Sequence, residues 1–520
     1  MLHSQFVEAV RKAEGEALYV ATSGRYPLCG KGDINTYTIF AELVRTSIGP
    51  SGRLGCVLPS GIATDKTTSQ FFEDLIVQRS LVSLYSFDNH EGVFPAVKRS
   101  TRFCLLTLSG PGQPFESAIS FVFYARKIEQ IYDEDRRFEL TPADIELLNP
   151  NTKTCPVFLS RTDCQLVIAL YKRVPVLVDD KLRSNEWGIV IRRILDMNRR
   201  DVIRLCSDTF PSDSSAEQVP VYEAKLFSPF NHRGATYHDK GTRQLLESEL
   251  LDPNFRIRSR YWIPKNEVTS RIPDFWVKNW LLVWQDVTDT NTMARTVSAT
   301  VIPYYGTDFT LRVGFSTVDA NGSAIAFLGG LNSFVFDYIA RQKIGGTHLS
   351  DYILKQLPIF SPSLHNQPCS WASKLTSIRD WLLPRVLELT YTAWDLEAFA
   401  SDCGWSGPPF RWDEERRFLL RCELDAAFFH LYLGPQSEWQ QQPEALTRAF
   451  PTPRHAVSYI MDTFPIVKRK DETKHGHYRT QATILQIYDA LGEAMQTGIA
   501  YQSLLNPPPA DPACCHPPRL

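Results

Sequence analysis

Apolar residues at Tyr37, Phe40, Leu43, Val44 and Ile48 recur close to helical spacing, which predicts a helix over Asn35–Ile48. Gly49-Pro50-Ser51-Gly52 ends it as a turn. Leu54–Leu58 is a short apolar run, the pattern of a parallel strand buried on both faces. Thr67–Arg79 follows as a helix with Phe71, Phe72, Leu75 and Ile76 on one side. Leu81–Phe87, Phe103–Leu108 and Ala118–Tyr124 read as strands. This alternation predicts half of a doubly wound, Rossmann-like α/β sheet within residues 1–130.

Beyond residue 130 the pattern becomes irregular, with β-rich stretches at Trp187–Ile194 and Trp280–Val287. One amphipathic helix is expected over Ala324–Gln342. After Pro358 and Pro362 the periodicity turns helical, most clearly over Asp413–Leu433 and Gln481–Gln496. Asn506–Leu520 holds six prolines and is expected to be a disordered tail. The fold class is therefore α/β with an incomplete Rossmann-like sheet (1–130), then an α+β region (131–362), a mostly helical region (363–505) and the tail (506–520).

Composition narrows the classes. A chain of 520 residues with 43% hydrophobic content forms packed domains rather than a disordered polymer. A net charge of −2 excludes a surface that coats nucleic acid uniformly, while leaving room for a local basic patch. Eleven cysteines without CxxC spacing fit a reducing compartment. Cys514-Cys515-His516 is a weak metal pattern, and no metal is expected. There is neither an 18-residue apolar run nor a signal segment, so a cytoplasmic protein is expected.

Four constellations carry candidate chemistry. Arg341-Gln342-Lys343-Ile344-Gly345-Gly346-Thr347-His348 pairs glycines, which admit close backbone approach, with donors for phosphate or base edges. Its bland alternative is a Gly-capped helix with solvated charges. Asp213, Glu223-x-Lys225 and Asn231-His232-Arg233 loosely suggest a metal nuclease, but Glu-x-Lys is common by chance. Phe94-Pro95, with Lys98 and Arg99 behind it, lies between two predicted strands; spacing alone favours a core Phe under a Pro turn. Glu414–Arg417 and Lys468–Glu472 are mixed charge runs of the kind that usually form solvated faces.

Taken together, GDINTYTIFAELV, GPSGRLGCVLPSGIATDKTT, SLYSFDNHEGVFPAVKRSTRFCLLTL, YEAKLFSPFNHRGATY and LNSFVFDYIARQKIGGTHLSDYILKQLP resemble adenine-specific DNA methyltransferases. The likeness is to the large type IIG-like enzymes of restriction–modification and phage defence, and it runs from about residue 30 to 480. It implies S-adenosylmethionine as cofactor and double-stranded DNA as partner. Two family motifs, the glycine-containing first strand and Asn/Asp-Pro-Pro-aromatic, are missing; Asn506-Pro507-Pro508-Pro509 lacks the aromatic. The resemblance therefore implies no catalytic residue here. It implies a C-terminal portion whose seam with the other half of the enzyme lies at Gly32–Phe40 and which is inactive alone. A non-catalytic specificity subunit, which would bind DNA alone or complete a separately encoded catalytic half, and a truncated relic are the alternatives. By resemblance, Phe94 packs on a flipped adenine with Lys98 and Arg99 on the backbone. Arg341, Lys343, Gly345, Gly346, Thr347 and His348 then contact DNA in a target-recognition region.

Overall fold

The computed structural model describes residues 2–32, 34–113, 118–206, 218–239, 241–288, 293–318, 323–344 and 347–519. Mixed α/β architecture with several small sheets gives way to a helical C-terminal region. The chain divides into two units, Met1–Lys172 and Arg173–Leu520.

In the first unit, β1 (Arg53–Pro59), β2 (Leu81–Asp88), β3 (Arg102–Ser109), β4 (Ile119–Ala125) and β5 (Phe138–Leu140) form one sheet in the order β1-β3-β2-β4-β5. β3 is antiparallel to both β1 and β2, so those two run parallel to each other, joined by the helix Ser69–Val77. β4 runs parallel to β2. The helix buries Phe71, Phe72, Leu75 and Ile76, the four residues its spacing singled out. β1 departs from expectation. It is an edge strand with alternating exposure, Val57 being 53% exposed, because its partner is an antiparallel strand on one side only.

In the second unit, β6 (Ile189–Arg192), β11 (Trp280–Gln285), β12 (Ala299–Pro303) and β14 (Leu311–Ser316) build an antiparallel sheet in the order β12-β11-β14-β6. β7 (Gln218–Tyr222), β10 (Trp262–Pro264) and β13 (Gly306–Thr307) form a second sheet, and β8 (Ala235–His238) pairs with β9 (Gly241–Gln244). Leu281, Val283, Val313 and Phe315 alternate onto one face and share a core with Val219, Val221 and Ile263. Trp280, Leu282, Trp284 and Gly314 occupy the opposite face.

The single helix expected over Ala324–Gln342 is two helices, Ser323–Leu331 and Phe334–Arg341. Asn332 breaks it by pairing with the Ala299 backbone through both amide atoms, donating to its carbonyl and accepting from its N–H at 3.0 Å each. Ser333 then caps the second helix, accepting from the Phe336 N–H. Phe334–Ala340 is buried throughout, so this amphipathic segment is a core element whose polar side, at Asp337, faces buried partners. Inside it Asp337 accepts from Arg295 Nε at 2.8 Å, Arg341 Nε at 3.0 Å and the Thr296 N–H at 2.9 Å.

Ile378–Thr390, Glu414–Leu433 and Arg479–Thr497 are the main C-terminal helices. Asp413 caps the second of these, accepting from the Arg416 N–H at 2.9 Å. The Pro-rich tail does not fray. Arg416 donates to the carbonyls of Pro507 (2.6 Å) and Pro508 (2.8 Å), and the Ala510 N–H donates to Glu388 at 2.7 Å. Cys515 bridges Phe410. Proline cannot supply an N–H, but its carbonyls can satisfy a guanidinium, and that is how this tail is fastened. Among the described residues no helix is long and apolar enough to cross a membrane.

Candidate nucleic-acid interface

β1, β2 and β4 run parallel, so their C-terminal ends share one edge of the first sheet, the position where ligands settle in open α/β sheets. The β2–β3 loop lies there. Asn89, fully buried, organises it: its Oδ1 accepts from the Phe94 N–H at 2.9 Å and its amide donates to the Phe94 and Val97 carbonyls at 3.1 Å. Gly92 turns the chain with φ +76°. Phe94 is held edge-on against Phe103, centroids 4.9 Å apart, yet stays 40% exposed. It is thus neither a core Phe nor a free one. Lys98 is exposed, whereas Arg99 folds back to donate to the His90 carbonyl at 2.7 Å. Nearby, Arg102 lies over the Tyr124 ring at 4.3 Å, and burial raises the Tyr124 phenol. Tyr124 carries φ +52°, a strained backbone for a non-glycine residue.

The second unit reorders the expected DNA loop. Arg341 is not available to DNA: besides Asp337 it donates to the Thr463 and Ala294 carbonyls at 3.2 Å and stacks on Phe464 at 4.1 Å. Lys343 is half-buried, and desolvation holds its ammonium well below its ordinary range. Gly345 and Gly346 lie outside the described residues. Thr347 and His348 are exposed, and their backbone is zipped to the end of β11: the Thr288 N–H donates to the Thr347 carbonyl at 2.9 Å and the Leu349 N–H to that of Asp286 at 2.7 Å.

Asp286 is the hub of this region. Its buried Oδ2 lies 3.1 Å from an Arg312 Nη, 3.3 Å from His348 Nδ1 and 3.6 Å from an Arg193 Nη. Three elements thereby bring two guanidinium groups and an imidazole to one carboxylate. Arg193 opens a longer row: Arg192, Arg193, Arg199, Arg200 and Arg204 are all exposed, against only Asp196 and Asp201 in the same stretch. β6 is an edge strand that ends at Arg192, and the helix Arg200–Leu205 that follows carries Arg200 and Arg204. The charge runs weighed from sequence did not include this row. Five arginines in thirteen residues was the signal that would have found it.

Other candidates dissolve. His232 and Arg233 are fully buried: His232 Nε2 pairs with Asp395 at 2.9 Å, and Arg233 donates to backbone carbonyls. Lys225 pairs with Glu223 at 2.9 Å, Tyr237 donates to Glu223 at 2.8 Å, and Asp213 lies outside the described residues. Arg416 pairs with Glu388 and Arg417 stacks on Trp412, so the two arginines of that run are engaged while Glu414 and Glu415 stay exposed. Pro465–His475 buries none of its residues, as a solvated face should. Among the described residues no three His, Cys, Asp or Glu side chains gather to hold a metal.

No family and no curated protein matches the sequence. Among solved structures, the type IIG restriction endonuclease BpuSI aligns at 11% identity with a TM-score of 0.26, covering 82% of this chain and 52% of that one. The ATP-dependent Type ISP restriction-modification enzyme LlaBIII bound to DNA aligns at 9% identity and a TM-score of 0.29, covering 70% of this chain and 29% of that one. The chain thus spans about half the length of the first and under a third of the second. Both scores lie below those of a shared fold, so a functional reading has to stand on the residues.

Proposed function

We propose that this chain is the DNA-recognition part of a restriction–modification enzyme that methylates adenine. The observation that carries the reading is the exposed arginine row Arg192–Arg204 beside His348, a local basic stretch on a chain of net charge −2. Guanidinium groups along such a stretch neutralise successive phosphates and release counterions, which supplies sequence-independent affinity for a duplex. Phe94, 40% exposed in the loop at the C-terminal ends of parallel strands, serves the base side by stacking on an extruded adenine.

The residues do not fit S-adenosylmethionine. The glycine-containing first strand is missing, β1 passes through Ser60 into the four-residue helix Gly61–Thr64, and the Pro507 and Pro508 carbonyls of the Asn506–Pro509 string are taken by Arg416. No methyl-transfer step is derived for this chain; the donor site belongs to a catalytic half.

Replacing the five arginines by glutamine is expected to weaken binding to a duplex about 100-fold near 0.15 M salt, measured by fluorescence anisotropy. Unchanged affinity in a folded variant would refute the reading. On the base side, with the catalytic half present, Phe94→Ala should weaken binding to a duplex with a mismatched target adenine more than to a matched one. A mismatched base costs less to flip, so stacking is a larger share of its binding energy. Equal losses on both duplexes would count against stacking.

A further inference from the structure

The outer face of the β12-β11-β14-β6 sheet carries a cavity of about 140 Å³ that none of the above uses. Its floor is the Leu282–Gly314 register pair of β11 and β14. Gly314 makes room for the Trp284 ring beside the cavity: a Cβ there would meet that ring at 2.7 Å and Ile189 at 3.2 Å. Two edge-to-face aromatic pairs wall it, Trp276 with Trp280 at 5.0 Å and Trp187 with Phe327 at 5.0 Å. All three indole N–H groups are occupied: Trp187 donates to the Phe360 carbonyl, Trp276 to that of Trp280, and Trp280 to Asp402. The walls therefore present ring surface rather than polar edges.

Asp402 interrupts this surface, together with Lys278, Ser316 and Thr317. Asp402 Oδ2 accepts from Trp280 Nε1 at 2.8 Å and lies 3.4 Å from Lys278 Nζ, while its side chain is 38% exposed. Among the described residues none donates to its Oδ1. Phe275, 45% exposed, stands at the mouth. Beside Asp402, burial and then that carboxylate push the Cys403 thiol up to about 12, so the thiol stays neutral.

We propose that this cavity binds the ring of cytosine, with the exocyclic amine donating to Asp402. A dry cavity of roughly 150 Å³ accepts one benzene-sized ring, and this one has that size. Aromatic walls favour a flat π-system over an aliphatic group of the same volume. A carboxylate acceptor selects a ring that bears an N–H donor and rejects one that presents a carbonyl at the same place. The ring can come from a base in a DNA strand or from a free nucleoside. The inference rests on the DNA reading only for the first of these sources.

Ligand-observed saturation-transfer NMR on the full chain tests it. Cytidine should bind saturably in roughly the millimolar range, as so few ligand atoms allow, and uridine about 10-fold more weakly or worse. Ala324→Phe, which fills the cavity, should abolish the cytidine signal. Asp402→Asn should keep binding but lose the preference over uridine. Equal signals for cytidine and uridine in the parent chain, no signal for either, or retained cytidine binding in a folded Ala324→Phe variant would overturn the proposal. Oligothymidylate with and without one cytosine separates the sources: a preference there assigns the site to a base in a strand, and a preference confined to the nucleoside assigns it to the free one. Because the nucleoside titration needs no DNA contact, it can fail or succeed independently of the arginine row.

Discussion

Asp337→Ala is expected to destabilise the second unit by about 3–5 kcal/mol, the cost of removing one partner from a buried ion pair. Asp337 is fully buried and neutralises both Arg295 and Arg341 while accepting the Thr296 N–H. Without it, two guanidinium groups and a backbone donor remain inside with no carboxylate. Arg295 also reaches the Asn332 carbonyl at the helix break, so the loss spreads to the junction between Ser323–Leu331 and Phe334–Arg341. Asp337→Asn separates charge from cavity. If it costs nearly as much as alanine, the charge dominates. Urea unfolding followed by circular dichroism, with proteolysis to assign the transition to this unit, makes the measurement. A loss below about 1 kcal/mol would show that water reaches the two arginines, making the pair a surface-like one.

Arg233→Met should cost a similar amount, about 3–5 kcal/mol, for a different reason. Arg233 is buried and donates to the carbonyls of Asp252 (2.7 Å), Leu250 (3.0 Å) and Thr392 (2.9 Å), so one planar fork joins the segment after β9 to the end of the helix Ile378–Thr390. Methionine fills the volume but leaves these acceptors without a donor. Arg233→Lys should rescue little of the loss, since an ammonium cannot span acceptors set apart at the width of a guanidinium. Full rescue by lysine, read as the same unfolding midpoint as the parent, would mean that charge rather than the fork holds the joint.

These two arginine sites show where sequence reasoning stops. The local elements of the first sheet were legible because periodicity there is strong: Phe71, Phe72, Leu75 and Ile76 lie where a helix must bury them, and Leu81–Phe87 and Phe103–Leu108 emerge as β2 and β3. Strand order was not, because an apolar run does not say whether its neighbour is parallel. β1 therefore read as buried when it is an edge. The break at Asn332 was hidden by apolar residues on both sides, and its cause, the Ala299 backbone, lies 33 residues away. Arg341 and His232 were chosen by residue type, and type cannot tell a ligand-binding cation from one tied to a buried Asp. The Arg192–Arg204 row failed in the opposite direction: its composition was visible, but it sits inside a stretch that otherwise read as a β-rich core.

The central claim, that the arginine row meets DNA phosphates, is tested most directly by the salt dependence of duplex binding. The logarithm of the association constant should fall linearly with the logarithm of salt concentration, and the slope should become shallower by about 0.9 for each phosphate contact removed. Between the parent chain and a folded variant with glutamine at 192, 193, 199, 200 and 204, the account expects the slope to flatten by about 3–4. An identical slope in the two proteins would place the phosphate contacts elsewhere and contradict it.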